Sequence, residues 1–179
     1  GESWEQGAGF EGRAVGLHME PSDSRDQRRS FAASTEGVFV SEDSGRSWRK
    51  TGEGLPEETL VDFAGGSAAD RTVLYCTTES EIVDGRYVGG VYRSTDGGQS
   101  WVHAMGEGIE TAEREFTRGD RTWVSVPSYT FVITNSVRPE TVYVAQNRPG
   151  QVYRSDDSGE SWRPTYFANP DEEGFNVEP

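Results

Sequence analysis

The residues whose types could do chemistry are carboxylates. Asp62 lies in the apolar run Leu60-Val61-Asp62-Phe63-Ala64, and further acids follow at Glu79, Glu81 and Asp84 and then at Glu110, Glu113, Glu115 and Asp120. Glycoside hydrolysis uses two such groups, one as acid and the other as nucleophile or base. A carboxylate inside a strand can equally be held by hydrogen bonds to a neighbouring strand or to water, and exposed acids are ordinary on an acidic surface. The same segments carry Tyr87 and Trp123. Trp123 could stack on a sugar ring with Tyr87 beside it, or pack its segment onto the rest of the molecule. Other chemistries are poorly supplied. Cys76 stands alone, which excludes an intrachain disulfide and a cysteine-based metal site. His18 and His103 are too far apart for a zinc motif, so neither metal nor cofactor is expected.

The elements that must position these residues are announced by a repeat. Ser41-Glu42-Asp43-Ser44-Gly45-Arg46-Ser47-Trp48, Ser94-Thr95-Asp96-Gly97-Gly98-Gln99-Ser100-Trp101 and Ser155-Asp156-Asp157-Ser158-Gly159-Glu160-Ser161-Trp162 share the pattern S-x-D-x-G-x-S-W. The opening Gly1-Glu2-Ser3-Trp4 matches the tail of a fourth copy. Each full copy follows an alternating run: Val38-Phe39-Val40, Val91-Tyr92-Arg93 or Val152-Tyr153-Arg154. That order reads as strand, turn, then a strand starting at Trp. The Asp carboxylate can accept turn amides, the Gly supplies a positive φ, and the Trp covers the hairpin. Ser41, Asp43, Gly45, Trp48, Ser94, Asp96, Gly98, Trp101, Ser155, Asp157, Gly159 and Trp162 are therefore read as folding devices.

Composition narrows the partners. The 179 residues carry 31 acids against 17 Lys and Arg, a net charge of −14. Nucleic acid is excluded as a partner, because phosphate binding wants a basic face. No run approaches transmembrane length, so no membrane contact is expected. Location stays open, with an extracellular or cell-envelope setting favoured.

The repeat resembles the Asp-box (BNR) repeat of β-propellers, a superfamily that includes sialidases, xyloglucanase-type glycoside hydrolases, sortilin-type receptors and a photosystem II assembly factor. The resemblance implies an all-β partial propeller of about three four-stranded antiparallel blades with Asp-box hairpins. Full copies start 53 and 61 residues apart, which suits blades of ~40–50 residues with insertions. On this reading residues 1–12 are the outer strand of a preceding blade. Blades occupy 13–53, 54–106 and 107–168, the last with an N-terminal insertion, and 169–179 connects to a missing blade. The expected strands are Ala14 to Met19, Phe31 to Ser34, Gly37 to Ser41 and one from Trp48. Then come Leu60 to Ala64, Val73 to Thr77, Gly90 to Ser94 and one from Trp101. The last four are Tyr129 to Thr134, Thr141 to Ala145, Gln151 to Ser155 and one from Trp162. Glu110 to Phe116 is expected to form one helical turn. Three blades do not close a ring, since propellers typically need 4–8, so the remaining blades or self-assembly are expected partners.

Strand alternation sorts the loops onto two faces, and in the resembling enzymes the active site lies on the face opposite the boxes. That face carries the segments Glu79 to Tyr87 and Glu107 to Ser125, where binding residues tend to lie. The candidate site is therefore Asp62 as a catalytic group, with Glu79, Glu81, Asp84, Tyr87, Glu113 and Trp123 as ligand contacts. Sialidases hold a substrate carboxylate with arginines; Arg86, Arg114, Arg118 and Arg121 lie on the right face but in no motif of that family. His18, near the other end of its strand, reads as structural, and Arg118-Gly119-Asp120 as a surface turn. Two functions follow: a non-catalytic recognition propeller binding a protein or glycan, or part of a glycoside hydrolase completed by the missing blades.

Overall fold

Short apolar runs separated by glycine-bearing turns fold as strands throughout. The structure, a computed structural model, describes residues 7–22, 24, 26–55, 59–68, 71–147 and 150–167, and no helix occurs among them. Strands β1 (Ala14–Met19), β2 (Ser30–Ser34), β3 (Gly37–Ser41) and β4 (Arg49–Thr51) pair antiparallel in chain order. So do β5 (Leu60–Ala68), β6 (Arg71–Val83), β7 (Arg86–Ser94) and β8 (Val102–His103). Between the second and third sheets stands a separate hairpin of β9 (Arg114–Arg118) and β10 (Arg121–Ser125). The third sheet is β11 (Tyr129–Thr134), β12 (Val142–Gln146), β13 (Gln151–Ser155) and β14 (Arg163–Phe167).

Two departures from the sequence reading concern the insertions. Glu110 to Phe116 holds no helical turn, because Arg114 to Phe116 already belong to β9. Glu79 to Tyr87 is no loop: β6 and β7 run on as a hairpin to a tight turn at Asp84-Gly85. The expected outer strand at Trp4 and the connection 169–179 lie outside the described residues.

The middle sheet is covered on both sides, which explains why Val73-Leu74-Tyr75-Cys76 is apolar without a break. Leu74 and Cys76 face the first sheet and pack with Phe31, Val38, Val40, Phe63 and Trp101. Val73 and Tyr75 face the third and pack with Val132, Val142, Val144 and Trp162. Burial pushes the Cys76 thiol far up, so it stays protonated. Tyr75 spans the second interface, its hydroxyl donating to Pro139 O at 2.8 Å. The outer faces of the flanking sheets stay open: Leu17 and Met19 on β1, and Phe131 and Ile133 on β11, are exposed.

The sheets are also latched through their backbones by a second repeat that the sequence reading missed. Gly7-Ala8-Gly9-Phe10, Gly52-Glu53-Gly54-Leu55 and Gly106-Glu107-Gly108-Ile109 share G-x-G followed by a large apolar residue. The middle residue of each lies parallel to the Ser-Trp end of the following eight-residue turn. Glu107 N donates to Glu160 O at 3.1 Å, and Trp162 N donates back to Glu107 O at 2.7 Å. Glu53 makes the same exchange with Gln99 and Trp101, and Ala8 with Arg46 and Trp48. The glycine after the latch has φ of 78°, 83° and 85° in the three copies. A Cβ there would meet the Trp carbonyl oxygen at 2.4, 2.6 and 2.1 Å respectively. Only glycine lets the strand approach so closely.

Candidate functional site

The three repeated turns have one hydrogen-bond pattern. Ser155 Oγ donates to Asp157 Oδ1 at 2.7 Å and accepts Gly159 N at 2.7 Å. Asp157 in turn accepts the amide of Ser161 at 2.9 Å and its hydroxyl at 2.5 Å. Ser94 and Asp96 make the corresponding bonds to Gly98 and Ser100, as do Ser41 and Asp43 to Gly45 and Ser47. The turn needs two consecutive left-handed residues, Ser44-Gly45, Gly97-Gly98 and Ser158-Gly159. Trp48 and Trp101 donate their indole N–H to the turn glycine's carbonyl, at 3.1 and 3.3 Å. Trp162 departs from them and donates to the carbonyl of Ala104, just beyond β8, at 3.0 Å.

Hydrogen bonding to the ionised form lowers these carboxyl groups. For Asp43 the Ser47 hydroxyl contributes most, followed by the Ser47 amide and Ser41, and the group falls to about 2. At Asp157 burial, which works in the opposite direction, is outweighed by Ser161 and Ser155, again giving about 2. The folded values lie below the ordinary carboxyl range. Their contribution to stability is therefore present above about pH 4 and is lost as pH falls towards 2. Asp96→Ala is expected to cost ~1–3 kcal/mol in urea denaturation at pH 7, because it strips the turn amides of an acceptor. The gap between wild type and Asp157→Asn should narrow as pH falls from 5 to 2. A constant gap would show that the carboxylate charge is not its source.

Asp62 stands at a bulge. The β5–β6 register shifts between Leu60 and Asp62, and the innermost strands β1 and β11 shift at the matching place, Ala14/Gly16 and Tyr129/Phe131. Bulges re-aim a side chain. Here the half-buried Asp62 extends Oδ2 to the amide of Val132 on β11, at 2.8 Å. The carboxylate thus joins two innermost strands. At the other end of those strands His18 Nε2 lies 2.8 Å from Ser67 Oγ, joining β1 to β5. Burial lowers the His18 pKa, with Glu20 opposing.

The remaining candidates sit on two hairpins. Glu79 and Glu81 are exposed on β6, and Asp84 is exposed in the turn to β7. Asp84 and Gly85 both have positive φ, 51° and 74°, the signature of a type I′ turn. Tyr87 is half-buried, and its hydroxyl donates to Pro127 O at 3.1 Å and is hydrogen-bonded to Ser80 Oγ at 2.8 Å. It thereby ties the first hairpin to the segment that follows the second, and burial pushes the phenol up to about 12. Glu113 is exposed just before β9. Trp123, 45% exposed on β10, stands opposite Phe116 on β9, with ring centroids 6.0 Å apart and planes 17° apart. Sequence reasoning missed Phe116. The signal available was the two-residue loop Gly119-Asp120, with positive φ at Gly119, a type II′ hairpin turn between alternating segments. Among the described residues no group of three His, Cys, Asp or Glu is placed to hold a metal ion.

No family model matches the chain, and no curated protein matches it. Solved structures do. A GH74 xyloglucanase from Xanthomonas campestris is 22% identical over 76% of this chain and 18% of its own, with a TM-score of 0.50. An ancestral GH74 enzyme is 16% identical, covering 89% and 19%, with a TM-score of 0.49. YCF48 bound to D1 peptide is 10% identical, covering 92% and 58%, with a TM-score of 0.38. The chain thus spans less than a fifth of the length of either GH74 structure. With no helix among the described residues and four-stranded antiparallel sheets in chain order, the likeness to the xyloglucanase makes the fold an all-β partial β-propeller.

Proposed function

We propose that the chain is the recognition portion of an Asp-box β-propeller, binding a glycan or a protein across the face that carries the two hairpins. The three serine-aspartate turns are read as Asp boxes, and residues 13–53, 54–106 and 107–168 as successive blades. The exposed apolar faces of β1 and β11 suit contact with further blades or with another copy.

The observation that carries this reading is the pair of hairpins. Both extend beyond the four-stranded sheets, one by lengthening β6 and β7 and the other as β9–β10, and the second presents an aromatic pair of which Trp123 is exposed and Phe116 half-buried. Tyr87 joins their bases through Pro127, so the two form a built surface rather than loose loops. The turn residues satisfy one another, and Asp62 is engaged with Val132. Neither needs a ligand to account for it.

A panel of neutral and anionic polysaccharides, followed by a hydrolysis assay on any that bind, tests the reading. Binding without release of reducing ends is the expected outcome. Turnover that Asp62→Asn abolishes would replace recognition with glycoside hydrolysis.

A further inference from the structure

Strand register sorts the charges of the β9–β10 hairpin onto its two faces. Arg118 pairs with Arg121, Phe116 with Trp123, and Arg114 with Ser125. Residues two apart on a strand share a face, so these six side chains form one surface. The other face carries Glu115 opposite Val124 and the Thr117–Thr122 pair, whose hydroxyl oxygens lie 3.0 Å apart. In a chain of net charge −14, one face of one hairpin therefore gathers three arginines and two aromatic rings and no acid.

Arg114 is engaged by Glu110. Arg118 and Arg121 make no ion pair among the described residues, although they lie directly across from each other. Like charges in that position oppose hairpin formation, so the pair is placed against local stability. The Cα atoms of the two arginines stand one same-face step, roughly 7 Å, from those of the aromatic pair. Guanidinium groups bind carboxylates through two parallel N–H bonds. The exposed indole of Trp123, stacked on half-buried Phe116, offers an apolar aromatic surface that suits the C–H face of a sugar ring. A flexible acidic peptide would use the arginines and leave the rings unfilled. A neutral sugar would use the rings and leave two cations unpaired.

We infer that this hairpin face, Phe116 and Trp123 flanked by Arg118 and Arg121, is a binding site for a carboxylate-bearing pyranose, such as a uronate residue of an acidic polysaccharide. The inference rests on the recognition reading above and specifies its ligand. The cationic face also gives an anionic ligand a local target on a surface that otherwise repels it.

Titration calorimetry with oligogalacturonate, neutral galactan, dextran sulfate and poly-glutamate tests it. Oligogalacturonate should bind and galactan should not. Arg118→Gln and Arg121→Gln should each weaken binding at least ~10-fold, and Trp123→Ala by a similar factor. Circular dichroism should stay unchanged in all three, and melting should not fall in the arginine variants, since those side chains lie exposed and removing one of two facing cations relieves repulsion. Binding of galactan abolished by Trp123→Ala and untouched by the arginine variants would sink the carboxylate inference and leave the recognition reading standing. Equal binding of poly-glutamate would assign the face to acidic protein segments, and a preference for dextran sulfate would assign it to sulfated glycans. Either would overturn the inference. Binding of none of the four polymers would overturn it as well. The recognition reading has its own test in the wider polysaccharide panel.

Discussion

Gly108→Ala is expected to destabilise the protein by about 2–5 kcal/mol, whereas Gly85→Ala should cost no more than about 1–2. Both glycines hold a left-handed backbone, with φ of 85° and 74°. A single left-handed alanine costs roughly 1–2 kcal/mol wherever it sits. The difference lies in what surrounds them. A Cβ on Gly85 would meet nothing within 4 Å, whereas one on Gly108 would lie 2.1 Å from Trp162 O. That oxygen is backbone, held in the latch where Glu107 accepts the Trp162 amide at 2.7 Å. It cannot swing away as a flexible side chain could. Relief would require the third serine-aspartate turn to move off the connection from the second sheet, opening the interface where Ile109 and Trp162 are buried. For a chain of this size the upper part of the range lowers the melting temperature by about 10 °C. Thermal and urea unfolding of the two variants side by side decide the matter. Equal losses at the two positions would mean that the latch carries no stability.

The latch also shows where the sequence could be read and where it could not. The repeated turns were legible because each position has a separate physical reason: a hydroxyl and a carboxylate for the amides, a glycine for positive φ and an indole for cover. The position before the glycine was not, since Ser44 and Ser158 adopt φ of 61° and 63°, and serine does not announce that conformation as glycine does. The G-x-G latch is a repeat in the sequence, yet its meaning is non-local, because each copy is matched to a turn 39, 47 or 54 residues further on. Asp62 is the same kind of case. Its partner Val132 is 70 residues away and contributes only a backbone amide, which carries no side-chain signal. The hairpins were missed for another reason. Asp84-Gly85 and Gly119-Asp120 are both turn signatures, but their charged flanks hide the apolar alternation that marks a strand. Arg118 facing Arg121 becomes visible only once register is known.

Trp162→Ala is expected to cost about 3–5 kcal/mol and Trp48→Ala distinctly less, although both close the same sequence pattern. The contrast follows from what each indole touches. Trp162 is buried in the interface between the second and third sheets with Tyr75, Val91, Ala104 and Ile109. Removing it leaves a hole that two packed sheets cannot close without moving as units. Its N–H also satisfies the buried Ala104 carbonyl across that interface, so truncation strands an acceptor as well as opening a cavity. Trp48 is only half-buried and bonds within its own turn, to Gly45 O. It lines an open 480 Å³ hollow with Phe10, Leu17 and Ala32, so part of its surface is already in contact with solvent. Trp162→Phe separates the two contributions. Phenylalanine keeps most of the apolar volume and loses the donor, so it should cost about 1–3 kcal/mol. Denaturant unfolding of the three variants gives the ranking directly. Equal losses for Trp48→Ala and Trp162→Ala would show that the indoles act within their own hairpins, and that the Trp162–Ala104 bond contributes nothing to holding neighbouring sheets together.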